Sequence, residues 1–364
     1  MAGVTLPRPK GDERIVRESE LAGPLRATEQ AAAESVAPAP SSSSRSLPSP
    51  ASEPKRTSLR QWFDSWAGMR EFEPTSERKI DWLRALPFLA MHLSLLAVIW
   101  VGWSWTAVLT AVGLYVLRMF AITGFYHRYF SHRSFKTSRW FQFVIAVVGN
   151  SSVQRGPLWW AANHRHHHHH SDEEQDLHSP VRTGFLYSHF GWFTNRQNVY
   201  TKLKLIQDFA KFPELRLLDR FDLIVPLLGA AGMYLVGFLL ERFAPGLGTS
   251  GGQMLTWSII STVALAHGTF TINSLSHMYG KRRYETTDTS RNNWFLALLT
   301  MGEGWHNNHH GHQYSARQGF YWWEIDLTYY GLVLLKWLGL VWDLRPVPER
   351  VLAQGRRRRD AGSD

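Results

Sequence analysis

The chain alternates between long apolar runs and polar stretches crowded with histidine. Four runs are long enough to cross a hydrocarbon layer as helices, which takes about 20 apolar residues. They lie at about residues 85–103, 105–124, 223–240 and 254–275. Only a very short turn can join the first two, and the stretch 241–253 between the last two is also short. The pattern therefore predicts two helical hairpins. Short outer loops leave everything else on one side: the N-terminal stretch, residues 125–222 and residues 276–364. That side is rich in Lys and Arg, so the positive-inside rule makes it cytoplasmic, with both termini. The expected fold is an all-α integral membrane protein, with four transmembrane helices in two hairpins and a cytoplasmic helical cap. Two shorter apolar stretches suit other roles. Residues 141–153 suit an interfacial or re-entrant helix. Residues 329–342, with Lys336 inside them, suit an amphipathic helix lying on the surface.

Composition divides the chain further. Residues 1–60 are rich in Ala, Ser, Pro, Arg and Glu, and 37–52 are almost wholly Ala, Pro and Ser. Such a segment cannot bury a core, and no apolar stretch follows the N-terminal charges as a signal peptide requires. The expected division is a disordered tail over 1–70, a membrane domain over 71–350 and a basic C-terminal tail over 351–364. The polar ends explain a mean hydropathy of −0.24. A net charge of +10 fits nucleic acid, a membrane surface or an anionic ligand equally well. The 17 Trp and 20 Phe beside the apolar runs select the bilayer and argue against nucleic acid. There is no cysteine. Disulfides, Cys-ligated zinc and a resident iron–sulfur cluster are excluded, and any metal rests on His, Asp, Glu, Asn or backbone.

Histidine supplies that possibility. Most of the 17 histidines fall between His127 and His312. One cluster is His127-Arg-Tyr-Phe-Ser-His132, where the second run ends. Another is His164-Arg-His-His167-His168, and a third is His306-Asn-Asn-His309-His310. His277 follows the fourth run. At about 100° per residue, positions i, i+3 and i+4 share one helix face. Each H-x-x-H-H triad can therefore aim at a common centre, and neutral imidazole suits first-row transition metals. Two triads, a pair and His277 make nine ligands, too many for one ion and suited to two. His169 and His170 read as bystanders of the polyhistidine run. His92 and His267, inside the runs, read as surface or satisfied core residues. Arg118 lies well inside the second run, where a charge marks function, a specific partner or snorkelling. Gly246-Leu-Gly248-Thr-Ser-Gly251 matches G-x-G-x-x-G but lacks the strand–turn–helix context of a dinucleotide site.

At these clusters the sequence resembles the membrane fatty acid desaturases of the stearoyl-CoA (Δ9) type, over about residues 80–345. The resemblance is carried by the segment 122–135 around His127 and His132, by Asn163 through His168, by Asn273-Ser-Leu-Ser-His277 and by Gly302-Glu-Gly-Trp-His306-Asn-Asn-His309-His310. It implies two iron ions (Fe2+/Fe3+) held by His127, His132, His164, His167, His168, His277, His306, His309 and His310. Asn273 would contact one iron through water. The implied reaction is O2-dependent insertion of a cis Δ9 double bond into an acyl chain. No catalytic residue beyond the metal ligands and no further cofactor site are implied. Alkyl C–H bonds have no usable acidity, so metal ligands rather than an acid–base pair are the expected signature.

The carrier is left open between acyl-CoA and acyl-lipid. Ala162 stands where animal members carry a CoA-contacting arginine. Arg196 matches another such arginine, but Gln197 replaces a lysine. The segments Arg155-Gly-Pro-Leu-Trp159-Trp160 and Gln313-Tyr-Ser-Ala-Arg317 resemble bacterial and plastid members, implying a bacterial inner membrane. Arg196 and Trp160 are the expected substrate contacts. Electrons must come from a separate ferredoxin, cytochrome b5 or flavoprotein reductase. Lys202, Lys204, Lys281, Arg282 and Arg283 could dock it or merely face solvent and lipid. Leu114 or Tyr115 are candidates to close the far end of the acyl tunnel. The alternatives are a membrane di-iron fatty acid or alkane hydroxylase and, more remotely, a metal transporter or sensor.

Overall fold

The computed structural model describes residues 59–67 and 80–360. Apart from 59–67, the expected N-terminal tail lies outside the described residues. Among the described residues the regular structure is helical, apart from one short antiparallel pair, Lys136–Thr137 against Val341–Trp342.

Four helices are long and apolar enough to cross a membrane: Trp82–Val101, Trp105–Ser131, Ile224–Phe243 and Gly251–Met278. The first ends at Gly102, whose φ of +65° is costly for a residue with a Cβ. Ser104 then starts the second by accepting the Ala107 N–H. The fourth starts with a reciprocal cap between Ser250 and Gln253. It packs along both the third and the second. Leu227, Leu228, Leu235 and Phe238 of the third span and Leu93, Leu96 and Ile99 of the first stay exposed. Apolar faces of that extent are stable against lipid, not water.

The second span runs further than its apolar pattern, through Ser131, and its final stretch is the centre of the core. Ile122, Phe125, Tyr126 and Phe130 are fully buried there. Two helices pack on this stretch, Arg139–Asn150 through Phe141, Ile145 and Ala146, and Pro157–His170 through Leu158, Ala161 and Ala162. The stretch expected as an interfacial or re-entrant helix is thus half core, while Trp140, Phe143 and Val144 stay exposed on its other face. The helix Leu327–Trp337, expected on the surface, likewise buries one face. Leu332 packs beside Gly124, and Thr328 shares a 2.7 Å hydrogen bond with Thr123. The basic C-terminal stretch is helical over Glu349–Asp360, and its Val351 packs with Tyr284, Phe320 and Tyr321.

Candidate metal centre

The first histidine pair depends on an unusual winding. Five residues of α-helix turn the chain by roughly 140° away from full turns, which would splay His127 from His132. Ala121–Ser131 is instead a π-helix, whose i→i+5 bonding pattern recurs at functional sites. The His132 N–H accordingly reaches the His127 carbonyl at 3.3 Å. Arg128, between them, is fully buried and fixes the segment with a two-pronged bond to Asp326 at 2.9 and 3.0 Å. His164, His167 and His168 come from Pro157–His170, and His306, His309 and His310 from His306–Gly311. His277 sits on the turn Leu275–Met278, after the fourth span breaks at Ser274.

These residues gather in two sets. His127, His132, His164, His168 and His309 each bring one ring nitrogen within 4.8 Å of the others, and so do His167, His277, His306 and His310. Nitrogens on opposite sides of a first-row ion, bound at about 2.1 Å, stand about 4.2 Å apart. Each set therefore matches the size of one coordination sphere. The Nε2 atoms face each other closely: 2.9 Å for His132–His164, 3.0 Å for His127–His309 and for His168–His309, and 3.1 Å for His277–His306. All nine histidines expected from the sequence lie in one set or the other.

The outward nitrogens explain why the inward ones are lone pairs. His167 Nδ1 meets Asp176 at 3.0 Å, His277 Nδ1 meets Asp172 at 3.3 Å and His310 Nδ1 meets Asp288 at 2.5 Å. His127 Nδ1 pairs with Glu303. A ring that donates Nδ1–H to a carboxylate presents a bare Nε2, the tautomer a metal requires. Gln318 Nε2 stands 3.2 and 3.4 Å from Nδ1 of His127 and His309. Burial first, and neighbouring imidazoles second, hold His132, His164, His168, His306 and His309 well below the ordinary histidine pKa. Burial likewise brings His310 down to about 4, against the pull of Asp288. Burial alone would raise Asp176 and Asp288, but His167 and His310 hold both well below the usual carboxylate range. Neutral imidazoles backed by carboxylates are a donor set for divalent or trivalent metal. These carboxylates were not among the expected site residues, although Asp172 and Asp176 follow the polyhistidine run directly.

A cavity of about 220 Å3 opens beside the first set, lined by His164, Asn273, Trp160, Phe88, Phe270 and Arg84 among others. Its wall is mainly apolar. Trp160 stacks on His164 with ring centroids 5.1 Å apart. Its indole N–H reaches Gln154 Oε1 at 3.3 Å, and Gln154 Nε2 donates to Thr269 at 2.8 Å. Trp160 thus sits where a substrate contact was expected. Arg196 does not line this cavity; its guanidinium lies 3.9 Å from Asp81, at the start of the first span. Arg84, which the sequence analysis passed over, does line it, and its Nε and Nη2 are buried with no hydrogen-bond partner among the described residues. Leu114 and Tyr115 do not border it; Tyr115 donates to the Leu299 carbonyl at 2.7 Å.

Other singled-out residues fall outside both sets. His169 is exposed and His170 pairs with Glu173. Arg118 is buried, donating to Thr262 at 2.8 Å and Ser151 at 3.2 Å. Of the five basic residues expected to dock a donor or face solvent, Arg282 and Arg283 are turned inward, to the Asp288 carbonyl and to Glu324. Lys202 is half-buried, which lowers its pKa to about 8.

The fatty acid desaturase family model matches residues 103–332, and thus covers every histidine of both sets. An sn-1 stearoyl-lipid 9-desaturase of Anabaena variabilis is 35% identical over 276 residues, which is 74% of this chain and 96% of that one. An acyl-CoA 5-desaturase of Anemone leveillei is 36% identical over 253 residues, 68% of this chain and 74% of the relative. A chloroplastic palmitoyl-monogalactosyldiacylglycerol delta-7 desaturase of Arabidopsis thaliana is 35% identical over 263 residues, 71% and 67% of the two chains. With half the chain and more inside the family match, and two histidine sets built as such chemistry needs, this protein belongs to the fatty acid desaturase family.

Proposed function

We propose that the protein inserts a cis double bond at the Δ9 position of an acyl chain, using O2 and two iron ions. His127, His132, His164, His168 and His309 would hold one ion and His167, His277, His306 and His310 the other, with Asn273 contributing through water. The observation that carries this is the placement of the five-histidine set in the wall of an apolar cavity, at His164. When bound, the iron supplies the oxidising power that abstracts hydrogen from an unactivated alkyl carbon. The chain's own part is to orient. Trp160, Phe88 and Phe270 exclude water from the alkyl chain, and the Gln154–Thr269 bond ties the Trp160 helix to the fourth span.

Two finer points belong to the same proposal. The four spans form two hairpins, with the histidine-bearing segments on the cytoplasmic side of a bacterial inner membrane and a separate donor protein docking there. The carrier bears a phosphate, as both CoA and phospholipid do, because Nε and Nη2 of Arg84, which meet no partner among the described residues, offer an anion two donors. Relatives acting on acyl-CoA and on stearoyl-lipid are both compatible with that. The test is expression in a host lacking Δ9 acids, with CoA thioesters and lipid classes separated before hydrolysis. A new Δ9 cis acid is expected. An alcohol product, or a His306→Ala variant with full activity and full iron, overturns the proposal.

A further inference from the structure

The two histidine sets stand on backings of different charge. In the four-membered set His167 Nδ1 meets Asp176 at 3.0 Å, His277 Nδ1 meets Asp172 at 3.3 Å and His310 Nδ1 meets Asp288 at 2.5 Å. Neutral donors hold these carboxylates in place. Asp172 accepts from the Ser179 hydroxyl at 2.5 Å and from the N–H and hydroxyl of Thr289, both at 2.7 Å. Asp176 accepts the N–H groups of Asp172 and His178, and Asp288 accepts the Ser290 N–H and the Thr286 hydroxyl. Among the described residues no Lys or Arg side chain bonds any of the three carboxylates. Arg182 and Arg282 come near, but they donate to the main-chain carbonyls of Asp172 and Asp288. Lys202 acts on Asp176 only through space.

The five-membered set differs. Among the described residues His127 is the one ring of this set that meets a carboxylate, Glu303. Arg128, which also binds Asp326, donates to that carboxylate at 3.0 and 3.3 Å. His309 is backed by an amide instead. Gln318 is buried and stands 3.4 Å from Nδ1 of His309 and 3.2 Å from Nδ1 of His127. A ring that ligates through Nε2 keeps its hydrogen on Nδ1, and an amide meets that hydrogen with its oxygen. A half-turn of the Gln318 amide brings Oε1, which is buried with no other partner among the described residues, to that place. One carboxylate shared with a guanidinium, and one neutral amide, thus stand against three carboxylates with no bonded cation.

Resting on the desaturase proposal, we infer that the ion of the five-histidine set takes the first electron, and that Gln318 is the positioning residue that denies this set a second carboxylate. A carboxylate behind a ligating imidazole makes the ring a stronger donor. It also sets a negative charge near the ion, and its attraction is greater for a trivalent ion than for a divalent one. Three such carboxylates hold the four-histidine ion in its Fe3+ form. The weaker backing of the five-histidine ion leaves it easier to reduce. Each ion takes one electron, Fe3+ to Fe2+, and no bond within the protein forms or breaks. The donor protein supplies both electrons. The order has a spatial meaning. Of the nine rings, His164 of the five-membered set is the one that lines the apolar cavity. The ion beside the alkyl chain is therefore the one reduced first.

The test titrates 57Fe-loaded protein in nanodiscs with dithionite and mediators, and Mössbauer spectra report the oxidation state of each ion. At one electron per chain, ferrous iron in the five-histidine set should exceed that in the four-histidine set at least about tenfold, the low end of what one outer-shell partner does to metal affinity. Two variants assign the signals. Asp288→Asn removes charge behind His310 and should move the later reduction step toward the earlier one. Gln318→Glu adds charge behind His309 and should move the earlier step toward the later one. A merely structural disturbance would not shift the two steps in opposite directions. Reduction of both ions together, or of the four-histidine ion first, overturns the inference. So does a Gln318→Glu protein that keeps both irons and both steps unmoved. If Gln318→Glu does not fold, Asp288→Asn decides, and an unmoved later step overturns the inference. Ordered reduction in a wild-type protein that forms no double bond refutes the desaturase proposal instead, so the two failures are distinguishable.

Discussion

Asp176→Asn isolates the carboxylate layer behind the four-histidine set. Both Asp176 oxygens face His167 Nδ1, at 3.0 and 3.1 Å, and the Asp176 side chain is fully buried. Its Oδ2 also accepts the Asp172 N–H at 2.8 Å and its Oδ1 the His178 N–H at 3.2 Å. Asparagine keeps the shape and one acceptor. It removes the charge and turns an amide N–H2 toward one of these donors. Loss of a carboxylate behind a metal-bound histidine weakens metal binding about 10–100-fold, or roughly 1.4–2.8 kcal/mol. A buried hydrogen bond to a charged group gives a similar figure, roughly 1.5–3 kcal/mol. Of the two histidine sets only the four-membered one contains His167, so if each set holds one ion, only one of them should loosen. Chelator titration of purified protein, followed by iron per chain, should show two release steps, one of them at about 10–100-fold lower chelator. Glu303→Gln, behind His127, should shift the other step. If Asp176→Asn releases both ions as the parent does, the carboxylate is not a support for the metal site and the assignment of His167 fails.

Other perturbations reach different parts of the site. Metal-free protein should lose stability as pH falls below about 6.5, because the unfolded chain then takes up protons that buried His132, His164, His168, His306 and His309 refuse. His310, held at about 4, adds to the loss between about pH 6.5 and 4; heat-aggregation midpoints between pH 8 and 5 check the sign, and a flat profile refutes it. Gly304→Ala places a Cβ against the backbone of Ala297 and Asn293. It should cost roughly 1–3 kcal/mol, reduce folded yield and displace the His306 loop, read by size-exclusion recovery and iron content. Gln154→Ala unties Trp160 from Thr269, so the double bond should spread over neighbouring positions in the product mass spectrum while iron content stays unchanged. Arg84→Ala should raise KM for a phosphate-bearing acyl carrier with little change in kcat; an unchanged KM removes Arg84 from carrier recognition.

What the sequence made legible, and what it hid, divide along a physical line. Spacing within one helix is local information, so each H-x-x-H-H triad was readable as a histidine face, but the common centre expected for each triad is not what forms: His164, His168 and His309 join one set and His167, His306 and His310 the other. The x4 spacing of His127 and His132 is intelligible only with the π-helix Ala121–Ser131. No composition rule separates that winding from an α-helix, because it is imposed by the buried Arg128 anchor and by the helices packed around it. The partition of the nine histidines into sets of five and four was equally hidden. His167 and His168 are adjacent in sequence yet belong to different sets, since neighbouring positions on a helix point about 100° apart. The carboxylates were invisible because Asp288 and Glu303 are distant in sequence from the rings they hold, and only the tertiary contact reveals their purpose. The same holds for His92, His189 and His267. Each looks like an isolated satisfied histidine, and each is satisfied, but by one another. Within this chain the imidazole ring therefore occurs in two arrangements, convergent in the two sets and serial through His92, His267 and His189, and only the second nitrogen of each ring tells them apart.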